Sequence, residues 1–105
     1  MFSRVTLLEI DTMRIDVADA VTVFREEVLP GLQRQPGYEG AVVMTTPEGK
    51  GIIISFWMSA EAAEASSALA TAELEKNVTI FRSPPGREQY EVAFSDFPRV
   101  EVGIR

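Results

Sequence analysis

The stretch from Leu29 to Ala62 constrains the fold of this chain more than any other feature. Pro-Gly pairs at 30–31 and 36–37 interrupt an apolar helix pattern, and two apolar segments then flank a glycine-rich turn at residues 47–51. A second helix pattern begins directly afterwards at Ser59. Proline kinks or ends helices because it lacks an N–H, and glycine permits the positive φ of tight hairpins. This succession of helix, hairpin and helix predicts a small α+β sandwich with one layer of strands and one of helices.

The N-terminal residues are predicted to form a strand and an amphipathic helix. Phe2 to Ile10 is rich in Val, Leu, Ile and Thr, which favours a first strand. Asp16 is placed to cap a helix, because its carboxylate can accept a hydrogen bond from a first-turn N–H. Pro30 should kink or end this helix, and Leu32 extends its apolar face by one turn. The apolar stripe of the helix consists of Val17, Val21, Phe24 and Val28.

The second helix is predicted to be capped by Ser59 and to present small side chains to the sheet. It is expected to continue through Val78 and Phe81 until a Pro-Pro-Gly segment stops it. A fourth strand is then predicted over Glu88 to Ser95, and a short fifth strand over residues 100–104. The expected apolar stripe of the second helix consists of Ala62, Ala65, Leu69 and Ala72.

The hairpin strands, Tyr38 to Thr46 and Ile52 to Met58, complete the order β-α-β-β-α-β with a short extra strand. Right-handed crossovers make this order a ferredoxin-like α+β sandwich, an antiparallel sheet with two helices on one face. The strand from Ile52 to Met58 is apolar on both of its faces, so the sheet face away from the helices must also be covered. A homodimer packed sheet against sheet covers it, through Ile52, Ile54 and Phe56 or through their neighbours.

Composition excludes several classes of function. The 105 residues predict a single domain over 1–105. The chain has no cysteine and no histidine, so we expect no disulfide, no transition-metal site, no haem and no other bound cofactor. Its net charge of −6 opposes binding to nucleic acid. No apolar run approaches the ~20 residues of a membrane span, so we expect no insertion into membranes. Residues 1–9 lack the layout of a signal peptide, so we expect a cytoplasmic protein.

Four segments carry a resemblance to a known family: Val28–Leu32, Gln35–Gly40, Trp57–Ala62 and Tyr90–Val92. In them, and over nearly its whole length, the chain resembles the antibiotic biosynthesis monooxygenase superfamily of dimeric α-β barrels, and its ending is similar to actinobacterial members. The haem-degrading branch of that family has a histidine on the second helix and an asparagine on the first strand, and this chain has neither. The resemblance therefore implies cofactor-independent oxygenation, in which a small aromatic or polyketide-type substrate itself supplies electrons to O₂.

For such an oxygenase the resemblance implies an apolar pocket between helices and sheet, with donors for a developing oxyanion. Trp57 is predicted to stack on the substrate as a pocket wall, and Tyr90 and Arg87 to donate hydrogen bonds. The alternatives stay open: Trp57 as a core residue, Arg87 as an exposed loop residue, and Tyr90 as a half-buried residue with an ordinary partner. The residues predicted to contact the ligand, each also compatible with a core position, are Phe24, Met44, Phe56 and Phe81.

Two further functions fit the same fold. A non-catalytic dimer that binds a small apolar ligand needs no general acid or base, and the absence of histidine and cysteine favours it. A protein that docks on another enzyme of the same pathway is the third hypothesis. A pocket of roughly 300 Å³ or more with converging polar groups distinguishes ligand binding or catalysis from a purely structural role.

Overall fold

The computed structural model describes residues 1–76, 81–82 and 87–96, and the side chains at 70–71, 73–75, 81–82 and 87–88 lie outside the description. The predictions for Val78, the Pro-Pro-Gly segment and residues 100–104 therefore fall outside the described residues. The elements follow in the order β1 (Phe2–Ile10), α1 (Val17–Val23), a π-helical segment (Phe24–Val28), α2 (Leu29–Gln33), β2 (Tyr38–Thr45), β3 (Lys50–Trp57), α3 (Ala60–Ala65), α4 (Ser67–Lys76), β4 (Phe81–Arg82) and β5 (Arg87–Glu91).

β1 is the central strand of one antiparallel sheet. It pairs along its length with β3, and β3 pairs in turn with β2, so that these strands lie in the order β2-β3-β1. β4 and β5 both pair with the other edge of β1, β4 at Glu9 and Ile10 and β5 at residues 2–6. One helical stretch connects β1 to β2 and another connects β3 to β4. The predicted ferredoxin-like α+β sandwich is confirmed.

The first helix begins where its sequence predicts but does not end at Pro30. Asp16 caps it, because its Oδ1 accepts a hydrogen bond from the N–H of Asp19 at 2.9 Å. Instead of stopping, the chain passes through the π-helical segment and resumes as α2, which carries Pro30 in its first turn. The first turn of a helix tolerates proline well, since an N–H there has no partner within the helix. Leu32 is buried, as predicted.

The π-helical segment accommodates Pro30. In an α-helix the proline ring collides with the carbonyl four residues earlier, which here belongs to Glu26. A π-turn is one residue wider, and the N–H of Leu29 donates to the carbonyl of Phe24, five residues back. Phe24 and Val28 both remain buried through this change. Because residues five apart stack in a π-turn, Phe24 and Leu29 lie on one side of the helix.

The predicted stripe of the second helix is wrong by one position. Ser59 caps this helix as expected, accepting a hydrogen bond from the N–H of Ala62 at 3.1 Å. A turn at Ser66 then separates α3 from α4, which breaks the uniform helical period assumed in the prediction. Among the described side chains of this helix, the buried ones are Ala63 and Ser66. The four predicted stripe residues divide into two half-buried ones, Ala62 and Leu69, and two exposed ones, Ala65 and Ala72.

The C-terminal strands differ from the prediction in two ways. Phe81, expected in a helix, lies in β4 opposite Ile10 of β1. The predicted fourth strand is β5, which ends at Glu91 instead of Ser95, although the N–H of Val92 still donates to the carbonyl of Met1 at 2.9 Å. Pairing with the central strand decides both results. It joins residues far apart in the chain, so a local apolar period does not reveal it.

The two faces of the sheet have different surroundings. Even positions of β1 and odd positions of β3 face the helices, and all of them are buried except the half-buried Phe2. The opposite side is here called the open face. It carries Ile52, Ile54 and Phe56, so these residues and not their neighbours in β3 face away from the helices, a choice that the sequence left open. Leu7 is 48% exposed on this side. The larger side chains of the open face are Val5, Leu7, Val42, Met44, Ile52, Ile54, Phe56 and Tyr90, and strand parity places Ser3, Glu9 and Lys50 on the same side.

Gly37→Ala should destabilise the fold by about 2 kcal/mol, through left-handed strain and overpacking. Gly37 has φ +83°, and a Cβ there would lie 2.7 Å from the Cβ of Ala62. The Gly37 carbonyl accepts the N–H of Met58 at 2.8 Å, which holds the two segments close. Urea denaturation measures the loss.

A double-mutant cycle with Ala62→Gly separates the two causes. Ala62→Gly alone should cost about 1 kcal/mol of helix propensity. In the double variant the contact disappears while the φ strain stays, so the two costs should add to more than the cost of the double variant. Strict additivity would contradict the close approach of Gly37 and Ala62.

Candidate functional site

Three of the predicted site residues lie on the open face. Met44 of β2 pairs with Ile52 of β3 and is 47% exposed. Phe56 pairs with Ser3 of β1, whose partner on the other side is Tyr90 of β5. Tyr90 is 49% exposed. These three side chains therefore belong to the surface turned away from the helices.

Two other predicted residues lie on the helix side. Phe24 is buried in the core, and Trp57 has no exposed surface. The sheet thus separates Trp57 from Tyr90, because strand parity places positions 57 and 90 on opposite faces. The structure does not bring them into one pocket between helices and sheet, which corrects the arrangement predicted from the sequence. Their individual roles stay predictions.

The last two predicted residues are placed through their backbones. Arg87 pairs with Thr6 in the ladder between β5 and β1, and Phe81 pairs with Ile10 in the ladder between β4 and β1. The side chains of Arg87 and Phe81 lie outside the description. Their predicted roles as donor and ligand contact stay predictions.

The Trp57 indole is held by three neighbours from three strands. Its Nε1 donates a hydrogen bond to the Ser55 hydroxyl at 2.8 Å. The Tyr38 ring meets it edge to face, with ring centroids 5.6 Å apart and planes at 78°. The guanidinium carbon of Arg4 lies 5.6 Å from the indole centroid, within the range of cation–π attraction. Trp57 thereby ties β1, β2 and β3 together at one end of the core.

Arg4 is a charged residue inside the protein, with 3% of its surface exposed. Its Nη1 donates to the carbonyl of Ala63 at 2.7 Å and to the hydroxyl of Ser66. The Ser66 hydroxyl in turn donates to the same Ala63 carbonyl at 2.8 Å. Burying a charge is costly unless it is hydrogen-bonded, so this network stabilises Arg4 in place and attaches β1 to the turn between α3 and α4.

A cleft beside this packed end separates the first helix from the edge strand β2. This helix-side cleft has a volume of about 350 Å³, and small-molecule sites occupy roughly 300–1,000 Å³. Of the five predicted site residues with described side chains, Phe24 lines it, while Trp57 lies behind Tyr38. The helix contributes Val21, Phe24, Arg25 and Leu29 to the lining, and the strand contributes Tyr38, Ala41, Val42 and Val43.

Arg25 and Tyr38 are the two side chains with polar groups that line the helix-side cleft. Neither forms a side-chain hydrogen bond or ion pair with another described residue. Burial raises the pKa of the Tyr38 phenol by desolvation. The phenol is therefore neutral at ordinary pH and available as a hydrogen-bond donor. No carboxylate of a described residue lines the cleft.

The sequence did not point to Arg25 or Tyr38 as site residues. Arg25 lies off the predicted apolar stripe, but it stands four residues from both Val21 and Leu29, and all three line the cleft. Tyr38 carried a weak signal, because it is an aromatic residue directly after a Pro-Gly turn at the start of a strand. Its register opposite Trp57 gives it a function that spacing alone does not reveal.

Two other clefts are lined by described residues. One, of about 350 Å³, lies on the open face beside the β2–β3 turn and includes Leu7, Met44 and Lys50. The other, of about 420 Å³, lies between Gly37 and Met58. Within the described ranges no three acidic side chains come together as a metal site. None of the helices described here is long and apolar enough to cross a membrane.

Several solved structures share this fold. SnoaB, a cofactor-independent oxygenase from Streptomyces nogalater, matches with a TM-score of 0.69 at 13% identity, over 90% of this chain and 94% of SnoaB. The monooxygenase from the gene ActVA-Orf6 of Streptomyces coelicolor, in complex with nanaomycin D, matches with a TM-score of 0.65 at 18% identity. The match covers 92% of this chain and 91% of that monooxygenase. A protein of unknown function from Nitrosomonas europaea matches with a TM-score of 0.69 at 17% identity. The match covers 92% of this chain and 93% of that protein.

These matches establish the fold alone, because the sequence identities are 13–18%. No protein-family model matches the chain, and no curated protein matches its sequence. The fold implied by the sequence resemblance is nevertheless confirmed, since the chain has the fold of antibiotic biosynthesis monooxygenases.

Ser66→Ala should lower the free energy of unfolding by about 2 kcal/mol, because it removes an acceptor from a buried guanidinium. Ser67→Ala is the matched control. Ser67 is the next residue, is only half-buried and makes no side-chain hydrogen bond with another described residue, so its change should stay within about 0.5 kcal/mol. Urea denaturation followed by Trp57 fluorescence reports both variants. Equal losses in the two would contradict a structural role for the Arg4 network.

Proposed function

We propose that this protein is an antibiotic biosynthesis monooxygenase that oxygenates a small aromatic or polyketide-type substrate without a bound cofactor. The observation that carries the proposal is the helix-side cleft, an apolar space of about 350 Å³ with two polar side chains. It lies in a fold shared with SnoaB, a cofactor-independent oxygenase. The Phe24 ring and the Val43 side chain offer the kind of apolar walls that a flat ring system fits.

The proposed reaction converts a methylene group of the substrate and O₂ into a carbonyl group and water. The methylene carbon loses a proton and forms an enolate, which passes one electron to O₂. The resulting radical and superoxide combine into a C–O bond, and the proton returns to the peroxide. Loss of water leaves the carbonyl. All four electrons that reduce O₂ come from the substrate carbon, so no other reductant is required.

The chain would contribute electrostatics and positioning. The Tyr38 phenol and the Arg25 guanidinium are the two donors near which an enolate oxygen can lie. Trp57 holds the Tyr38 ring through its edge-to-face contact, which makes Trp57 a positioning residue in this proposal. Because no carboxylate lines the cleft, water is the proposed acceptor of the carbon-bound proton.

A non-catalytic ligand-binding protein is the second candidate. The observation that favours it is the same lining, which offers donors and apolar surface but no side-chain base. Such a cleft binds an aromatic molecule without activating it. Oxygen uptake in the presence of substrate distinguishes the two functions.

We also propose a homodimer that packs open face against open face. The row formed by Val42, Ile54 and Val5 is apolar on β2, β3 and β1, and Glu88 is the next position of this row, on β5. An apolar sheet face of this extent is typical of an interface. Tyr90 lies at the edge of this surface, so its predicted role as a donor would be exercised near the partner chain. A cytoplasmic location stays a prediction from the sequence.

Ala41→Phe should abolish most of the oxygen uptake that the protein supports with an anthrone. Ala41 lines the helix-side cleft and is half-buried, so a phenyl ring there occupies ligand space rather than the core. An oxygen electrode measures the rate, and near-ultraviolet circular dichroism checks the fold.

Ala68→Phe is the control for the same increase in size. Ala68 is exposed on α4, outside the clefts, so its variant should keep the wild-type rate. Wild-type protein that takes up no more oxygen than buffer would refute catalysis on this substrate class. An undiminished rate in Ala41→Phe would place the reaction elsewhere.

Leu7→Glu should convert the proposed dimer into a monomer. Leu7 is exposed on the open face of one chain, so the monomer tolerates a carboxylate there, whereas a dimer would bury it without a partner. Sedimentation velocity at micromolar concentration measures the mass. The control Ala68→Glu should remain dimeric. A wild-type mass of one chain would rule the interface out.

A further inference from the structure

We infer that the helix-side cleft selects aromatic ligands with a single negative charge, and that Arg25 and Tyr38 together hold the anionic group. This inference rests on the proposed function for the location of the site, and it adds the chemical class of the ligand.

Charge is the first observation. Arg25 is the one formally charged side chain among the lining residues, and it forms no ion pair with another described residue. Its neighbours Glu26 and Glu27 are exposed and do not line the cleft. The chain as a whole carries a net charge of −6, which disfavours the approach of anions. The Arg25 guanidinium lies beside an apolar cavity, so this cleft attracts an anion locally.

Tyr38 is the second observation. Its ring lines the cleft and is fixed edge to face on the fully buried Trp57. Its phenol forms no hydrogen bond with another described residue, and burial raises its pKa. A neutral phenol and a guanidinium are both donors, and because both line the same cleft, an oxyanion bound there can accept from each. The pair suits a carboxylate, a phenolate or an enolate oxygen.

The helix side of the cleft is the third observation, because it places Arg25 within the apolar wall. Val21, Phe24 and Leu29 line the cleft from the first helix together with Arg25, which stands four residues from both Val21 and Leu29. A ligand ring against this wall therefore has a cation at its border. Two donors with one positive charge balance one negative charge. A dianion would leave a charge uncompensated near apolar side chains, which is unfavourable.

Isothermal titration calorimetry with two probes of equal size tests the inference. The probes are 2-naphthoate, which is anionic, and 2-naphthalenemethanol, which is neutral. Wild-type protein should bind the anion roughly tenfold more tightly, as one charge-assisted hydrogen bond predicts. Arg25→Gln should remove that difference and leave the affinity for the neutral probe unchanged.

Two further variants control the result. Arg34→Gln removes the same charge from an exposed position at the end of α2, outside the cleft lining, and should bind both probes as wild type does. Tyr38→Phe keeps the ring on Trp57 and should weaken naphthoate binding by roughly threefold to tenfold. The emission of Trp57, the single tryptophan, reports that each variant is folded.

Three results would overturn the inference: no binding of naphthoate, equal affinity for both probes, or unchanged naphthoate binding in Arg25→Gln. Each is compatible with oxygen uptake on a neutral anthrone, so failure of the charge selectivity is distinct from failure of the oxygenase proposal. A charge preference that depends on Arg25, in a protein without oxygen uptake, supports the inference and favours the non-catalytic binding function.

Discussion

The rest of this structure depends on the cation–π contact between the Arg4 guanidinium and the Trp57 ring. Trp57 meets Tyr38 on one side and Ser55 on another, while Arg4 extends to the Ala63 carbonyl and the Ser66 hydroxyl. One aromatic ring and one cation thus connect three strands to α3 and the turn that follows it. A buried cation costs several kcal/mol when its partners are removed. The network therefore specifies how the helices sit on the sheet more than it adds net stability.

The packing of Arg4 against Trp57 also determines where a ligand can bind. The core around Trp57 is filled, since the indole has no exposed surface and lines none of the three clefts. Space between helix and sheet opens further along, in the helix-side cleft between the first helix and β2. Tyr38 belongs to both regions, with its ring on Trp57 and its surface in the cleft. The packing around Trp57 thereby fixes the Tyr38 ring, which forms one wall of the candidate site.

Local chemistry could be predicted from the sequence, and long-range geometry could not. The caps at Asp16 and Ser59 were predicted because each acts on the next three residues. Phe81 was placed wrongly because its strand pairing joins distant parts of the chain. Arg25 and Tyr38 meet at the cleft because β2 lies beside the first helix, which is a contact between distant parts of the chain. The sequence does not show which strand faces which side of a helix, so the candidate site was less predictable than the fold that carries it.

Val42 links the two surfaces of the proposed assembly. It lies in the open-face row with Ile54 and Val5, and it also lines the helix-side cleft, because β2 is the edge strand. An edge strand has no neighbour to separate one face from the other at its border. In the proposed dimer a partner chain would therefore cover Val42 at the rim of the ligand site. Dimerisation and ligand binding then share one boundary, so the dissociation constant of the dimer should depend on whether the cleft is occupied.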